Sequence, residues 1–373
     1  MPKTLILSFL LQVILMTWLA AQNTETSRLR ILFTGDIMGH DAQIAAAMDP
    51  DSGGYNYHSC FDYLKPFIEQ ADIAVGNLEV TFGGPPYKGY PQFSSPDELG
   101  VALKETGFDI LVNANNHALD RGKEGLERTI TTLRQQSLIM TGSFESQYQR
   151  DLRYPLLVEK NNILLAILNY TYGTNSLEVS PPNIVNYIDT SMIHDDIQKA
   201  LAAEPDFLIA CLHWGNEYER EENKSQEELA QFLFKEGVNV IIGSHPHVVQ
   251  PVRIYINEKD SMPSRLVVYS LGNFISNQRD RYRDGGIIFE LELVKTNKTS
   301  ITGYTYLPVW VYKRDEDGKN LFRLIPANAS DQVMELYNLS EEDRQLCKQF
   351  YSDTQSHLMN VPENKFFQVS WDH

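Results

Sequence analysis

The chain has 373 residues, 42% of them apolar, and a formal net charge of −17. That length allows one large domain or two ordinary ones, and the apolar share excludes disorder as a description of the whole chain. The acidic balance excludes a nonspecific nucleic-acid binder, which needs a positive phosphate-facing surface. Small phosphorylated substrates stay open, because bound metal changes the local field.

The N-terminus reads as a targeting segment. Lys3 supplies a positive start, Leu5 to Leu19 is mostly apolar, and small residues close the stretch before Gln22-Asn23-Thr24. Residues 1–21 are therefore expected to be a cleaved secretory signal, which places the protein in the periplasm or outside the cell. An uncleaved N-terminal anchor is the alternative, since the segment is nearly long enough to span a bilayer. No cysteine adjoins it to carry a lipid.

Short apolar runs then recur, each followed by polar residues. Leu29 to Phe33 leads into Thr34-Gly35-Asp36, Ile73 to Val75 into Gly76-Asn77-Leu78-Glu79, and Ile110 to Val112 into Asn113-Ala114-Asn115-Asn116-His117. Phe207 to Leu212 precedes His213-Trp214-Gly215, Val238 to Ile242 precedes Gly243-Ser244-His245-Pro246-His247, and Leu266 to Tyr269 precedes Ser270-Leu271-Gly272-Asn273. Each run predicts a strand ending in a turn.

Between them, apolar residues at helical spacing predict helices over Lys123 to Gln135, around Ile193, Ile197 and Leu201, and over Ser225 to Lys235. Gly83 to Pro96, rich in Pro and Gly, is a candidate substrate-facing loop or a rigid connection. Late strands are expected at Ile287 to Leu293, Tyr304 to Leu307 and Trp310 to Tyr312, and a helix near Val333 to Tyr337. Alternating strands and helices predict an α/β fold. The domain is expected over 29–330, with 331–373 as a C-terminal extension packed on it.

There are three cysteines. Cys211, inside a strand-like run, reads as a buried inert thiol. Cys60 and Cys347 could pair in an oxidising compartment, though nothing local requires it.

The ordered polar series carries the chemistry. Asp36 and Glu79 offer anionic oxygens, Asn116 a carbonyl oxygen, and His213, His245 and His247 neutral nitrogens. Such a shell suits zinc, manganese or iron. The pattern suggests ligands gathered at one sheet edge, holding two ions with a hydroxide between them that attacks a phosphoryl or acyl centre.

Each residue also has a structural reading. Asp36 can cap a turn, Glu79 can be a solvated loop carboxylate, Asn116 can cap a helix beginning near Ala118, and His213 can bond within a packed turn. Pro246 restricts the backbone between the paired histidines. His117 is a candidate acid, with Asp120 either orienting it or accepting backbone donors in a first helical turn. His40 and Asp41 are candidates for metal or substrate. Lys88, Asn273, Arg279 and Arg281 are candidates for substrate contact, with a turn or a solvated surface as their alternatives.

These motifs together resemble the CapA-like family of poly-gamma-glutamate capsule-biosynthesis proteins. Gly35-Asp36-Ile37-Met38, Asn77-Leu78-Glu79, Asn115-Asn116-His117-Ala118-Leu119-Asp120, His213-Trp214-Gly215, Gly243-Ser244-His245-Pro246-His247 and Tyr269-Ser270-Leu271-Gly272-Asn273-Phe274 follow its order over roughly residues 29 to 294. That family looks like a branch of the calcineurin-like metallophosphatases. The resemblance implies a four-layer α/β/β/α metallophosphatase-like sandwich with a dinuclear centre. In it Asp36 and His247 would serve one ion, Asn116, His213 and His245 the other, and Glu79 would bridge. His117 would act as the acid.

The opening departs from the phosphatase Asp-x-His spacing, and Glu79 stands where related enzymes carry an aspartate. The expected function is a metal-dependent hydrolase acting on an anionic cell-envelope or capsule-related substrate, either a phosphoester or a gamma-glutamyl amide. The expected partners are an anionic envelope polymer or a small phosphorylated substrate, with capsule-assembly membrane partners and no nucleic acid. A non-catalytic polymer-binding or assembly protein on the same scaffold is the competing expectation.

Overall fold

The computed structural model describes residues 26–49, 53–256, 263–316 and 319–366. The signal-like segment 1–21 and the end of the C-terminal extension lie outside the described residues.

The first half of the chain contributes β1 (Ser27–Ile37), β2 (Ile73–Leu78), β3 (Ile110–Val112), β4 (Ile139–Thr141), β5 (Ser143–Phe144), β6 (Leu156–Lys160), β7 (Ile163–Thr171) and β8 (Ile184–Val185). The second half adds β9 (Phe207–His213), β10 (Val240–Ser244), β11 (Val252–Ile256), β12 (Pro263–Val268), β13 (Asn273–Ile275), β14 (Gly285–Lys295), β15 (Thr299–Glu316) and β16 (Lys319–Pro326). One sheet runs β16-β15-β14-β1-β2-β3-β4, with β13 beside β1, and a second runs β11-β12-β10-β9-β7-β6. Strands β1 to β4 are parallel, as are β7, β9, β10 and β12.

Side-chain alternation fixes the layers. In β1, Leu29, Ile31 and Phe33 enter the core between the sheets, while Leu32 points to an outer core under helices. In β9, Phe207, Ile209 and Cys211 face the inter-sheet core, and Leu208, Ala210 and Leu212 face the helices Thr190–Leu201 and Lys224–Glu236. Strands buried on both faces read as continuous apolar runs, which is why they are legible. Burying each such Leu, Ile or Phe contributes about 1.5–3 kcal/mol, so the inter-sheet layer is a main tie between the sheets. The result is the four-layer α/β/β/α sandwich.

The expected helices form at Gly122–Gln135, Thr190–Leu201 and Lys224–Glu236. Asn223 and Gln226 close a capping box on the last of these, and Gly237 ends it in the left-handed region at φ 114°. The expected strands at Tyr304 to Leu307 and Trp310 to Tyr312 are parts of one long strand, β15. The helices Asp331–Leu336 and Glu341–His357 pack Val333, Met334, Cys347 and Phe350 against Trp310, Tyr312 and Ile325.

The cysteine bridge does not form. Cys60 and Cys347 are free and sit in different cores, and Cys211 is likewise free and buried between the sheets. Burial pushes the Cys60 and Cys211 thiols up to about 12.

Candidate metal centre

Two glycines let the strand ends close on one another. A Cβ at Gly35 would collide with the Gly272 carbonyl oxygen, and one at Gly243 with that of Tyr269. Just beyond them stand Asp36 and the turn His245-Pro246-His247. Both histidines hold positive φ, 100° for His245 and 58° for His247, a costly conformation for a side chain with a Cβ.

The ligand series does not come from one sheet edge. Asp36, Glu79 and Asn116 follow or end β1, β2 and β3 of the first sheet, while His213, His245 and His247 end or follow β9 and β10 of the second. The carboxyl ends of parallel strands meet face to face, and all six side chains are buried there.

Two groups of potential metal ligands result: Asp36, Glu79 and His247, and Glu79, His213 and His245. Glu79 belongs to both. Its Oε1 lies 3.5 Å from His213 Nε2 and 3.8 Å from His247 Nε2. His213 Nε2 lies 2.9 Å from Asn116 Oδ1. His247 Nδ1 lies 3.1 Å from Asp36 Oδ2. Atoms held at about 2.0–2.2 Å from one ion stand about 3 Å or more apart, so the contacts of Glu79 Oε1 with both histidines and of Asn116 Oδ1 with His213 match shared cations.

Electrostatics points the same way. Neither Glu79 oxygen nor His245 Nδ1 has a hydrogen-bond partner, although all three are buried. Burial, with Asp36 alongside, pushes the Glu79 carboxyl well above the usual carboxylate range. Burial and then the neighbouring His245 hold His213 well below the usual imidazole range. Burial and then His247 bring His245 down to about 3. Among the described residues, the ion-pair contacts of Asp36 and Glu79 are to these histidines, not to Lys or Arg. Neutral imidazoles and orphaned carboxylate oxygens form a donor set that a divalent cation fits.

The surrounding amides hold these groups in place. Asn77 Nδ2 donates to Asp36 Oδ1 at 2.7 Å, and Asn175 Oδ1 accepts from Asn116 Nδ2 at 3.3 Å, which leaves the Asn116 carbonyl toward His213. The Tyr172 ring lies 4.5 Å from that of His245. Asn77 sits inside the Asn-Leu-Glu motif, so its position was readable. Tyr172 and Asn175 follow β7, whose end carries no metal ligand that would have drawn attention to them.

His117 Nδ1 lies 2.7 Å from Asp120 Oδ2, which also accepts the Phe93 N–H at 2.7 Å. Burial raises the Asp120 carboxyl, against the opposing pull of His117. The expected helix near Ala118 is a turn, and the helix begins only at Gly122, so Asn116 is not its cap. His117, Asp120 and Asn116 line a cleft of about 490 Å³ with Tyr90, Pro91, Gln92, Asn175, Ser176, Leu177 and Glu217. The Gly83 to Pro96 loop thus supplies part of its wall.

Other candidates are committed elsewhere. Asp41 Oδ1 accepts the Gly89 N–H at 2.7 Å, and His40 Nδ1 lies 3.0 Å from Gln43 Oε1 and accepts the Asn277 N–H, so neither joins the two ligand groups. Burial brings His40 down to about 4. Asn273 is fully buried, and its Oδ1 lies 3.1 Å from His247 Nδ1. Arg279 donates to the Val311 carbonyl and lies over Trp310, while Arg281 donates from Nε and Nη2 to the Asp353 carboxylate. Lys88 is exposed, and its backbone pairs with Ser94.

The sequence profile described as "Bacterial capsule synthesis protein PGA_cap" matches residues 30–278. The chain is 28% identical over 257 residues to the PGA biosynthesis protein CapA of Bacillus subtilis (strain 168), an alignment covering 65% of this chain and 64% of that protein. It is 27% identical over 287 residues to the capsule biosynthesis protein CapA of Bacillus anthracis, covering 72% and 64%. The chain therefore spans less than two thirds of these relatives' own length. Among solved structures, the Haemophilus influenzae NAD nucleotidase aligns over 93% of this chain and 65% of its own, with a TM-score of 0.48 and 12% identity.

Proposed function

Because the chain belongs to the bacterial capsule synthesis family PGA_cap, we propose that it is a metal-dependent hydrolase acting on an anionic cell-envelope or capsule-related substrate. The bond cleaved is a phosphoester or a gamma-glutamyl amide. The observation that carries this reading is the pair of ligand groups sharing Glu79, whose buried oxygens have no other partner. The compartment we assign is the periplasm or the exterior. Among the described residues, no helix is long and apolar enough to cross a membrane. Within the chain, we take 29–330 as the hydrolytic domain and 331–373 as its extension.

Asp36, Glu79 and His247 are proposed to hold one divalent ion, and Glu79, Asn116, His213 and His245 the second, with zinc, manganese or iron suiting the oxygen–nitrogen shell. When bound, such ions supply Lewis acidity and acidify water. His117 is fixed by Asp120 through Nδ1, which leaves Nε2 to give a proton to the departing oxygen or nitrogen. The Phe93 ring packs edge-on at 4.7 Å from the His117 ring and limits its movement.

The test is metal analysis joined to turnover of an envelope extract, with the His245→Ala/His247→Ala double variant as control. Product masses separate phosphate release from amide cleavage. A metal-loaded, folded chain that turns over no phosphoester, gamma-glutamyl polymer or peptidoglycan fragment would sink the hydrolase reading. The competing reading, polymer binding or assembly without catalysis, draws on the relatives' names, which speak of biosynthesis. It predicts tight polymer binding with no new products.

A further inference from the structure

We infer that Glu217 receives a primary ammonium group of the substrate, on the His117 side of the metal centre. The placement beside a catalytic His117 rests on the hydrolase reading above; ammonium binding at Glu217 does not.

The cleft beside His117 has an unusual charge balance for a protein expected to handle an anionic substrate. No Lys or Arg lines it, and its charged residues are the His117–Asp120 pair and Glu217. Glu217 is exposed and, among the described residues, has no ion pair with Lys or Arg. The nearest guanidinium is Arg283, 4.3 Å over the ring of Tyr218, whose side chain also bonds to Glu217, while Arg220 and Arg281 lie 4.2 and 4.8 Å over Tyr282, away from the cleft lining.

A carboxylate-bearing unit placed in this cleft would meet Glu217 at a Coulomb cost, whereas an ammonium group would be attracted. Tyr90, 70% exposed, lines the same cleft from the first-sheet side and offers an aromatic face that also favours a cation. Asn116, a proposed metal ligand, lines the same cleft as Glu217. The geometry thus fits an anionic chain presented by its amino end, with the terminal ammonium on Glu217. Such a site works from one end of a polymer rather than along its length.

The experiment uses the full chain carrying the divalent ions it takes up. The probes are a short gamma-linked glutamate oligomer with a free amino end and its N-acetylated twin, compared by calorimetric binding and, separately, by turnover. The free-amine oligomer is expected to bind about threefold tighter than its twin, as suits an ion pair at an exposed carboxylate. Glu217→Gln should remove that preference, and Glu217→Lys should reverse it, with metal content unchanged in both.

Equal binding of the two oligomers, a preference that survives Glu217→Gln, or no binding of either would overturn the inference. A Glu217-dependent preference without any turnover would leave it standing and sink the hydrolase reading instead. Turnover of both oligomers, with Glu217→Gln slowing them equally, would do the opposite.

Discussion

The carboxylate of Asp120 holds two donors at once: His117 Nδ1 and the Phe93 N–H each approach its Oδ2 at 2.7 Å. One buried oxygen therefore sets the tautomer of the candidate acid and pins the loop that walls the cleft.

Asp120→Asn should disturb the first task more than the second. An amide can still accept from Phe93, but it no longer gives His117 Nδ1–H a charged acceptor, and where it donates to Nδ1 instead the ring cannot hold the second proton that Nε2 would release. We expect kcat to fall about 10²-fold or more, with KM and metal content little changed. His117→Ala should fall at least as far. Nitrogen shifts of the His117 ring in labelled protein check the tautomer, and an unshifted ring in Asp120→Asn would refute the positioning role.

Glu79→Gln should act in opposite directions with and without metal. In metal-free protein the carboxyl is buried beside Asp36 without a partner, so neutralising it should stabilise the fold by about 1–3 kcal/mol. With metal present, the variant should lose occupancy of both ions, whereas His213→Ala and His247→Ala should each lose chiefly one. Melting curves with and without chelator, together with metal-to-protein ratios, decide this.

Asn273→Ala removes the partner of His247 Nδ1 without touching a proposed ligand. Outer partners of metal-binding histidines typically tune affinity 10- to 100-fold, so metal should bind about that much more weakly. Competition with a chromophoric chelator measures it. Arg279→Ala should instead lower stability and leave metal affinity unchanged, because its guanidinium holds the Val311 carbonyl and covers Trp310.

Metal stabilisation should grow as pH rises. The Glu79 carboxyl is raised, so metal-free protein keeps its proton above the usual carboxylate range, and binding must expel it. His213 and His245 are lowered and already neutral near pH 7, so they add no proton release there. For the metal-free fold, the two histidines contribute stability that is present above about pH 6.5 and lost as pH falls toward their folded values. Glu79 works the other way: its contribution is present below about pH 4.5 and lost as pH rises through its folded value. The increment in Tm between metal-loaded and chelated protein, followed from about pH 5.5 to pH 8, should widen steadily. A flat increment would contradict the raised Glu79 carboxyl.

The sheet strands with polar ends were legible because burial on both faces makes each a short apolar run. The helices Gly122–Gln135, Thr190–Leu201 and Lys224–Glu236 were legible from their one-sided stripes. Strand β7 carries an equally strong run, but Asn169-Tyr170-Thr171 at its end offers no metal ligand, so a reading that follows ligands passes it by. The helix Glu341–His357 has polar residues on most of its surface and buries only Cys347, Phe350 and Thr354, too narrow a stripe to stand out. Asp41, Arg279 and Arg281 show the limit of composition: charge is visible in sequence, but the backbone carbonyl, amide or carboxylate that engages it is not.

The division of the ligands between two sheets has a consequence for how the protein matures. Neither half of the chain carries a complete set: Asp36, Glu79 and Asn116 precede β7, and His213, His245 and His247 follow it. A chain still emerging from synthesis cannot assemble the centre until its last histidine turn has docked against β1. Ion capture is then expected only after the two sheets have closed on one another.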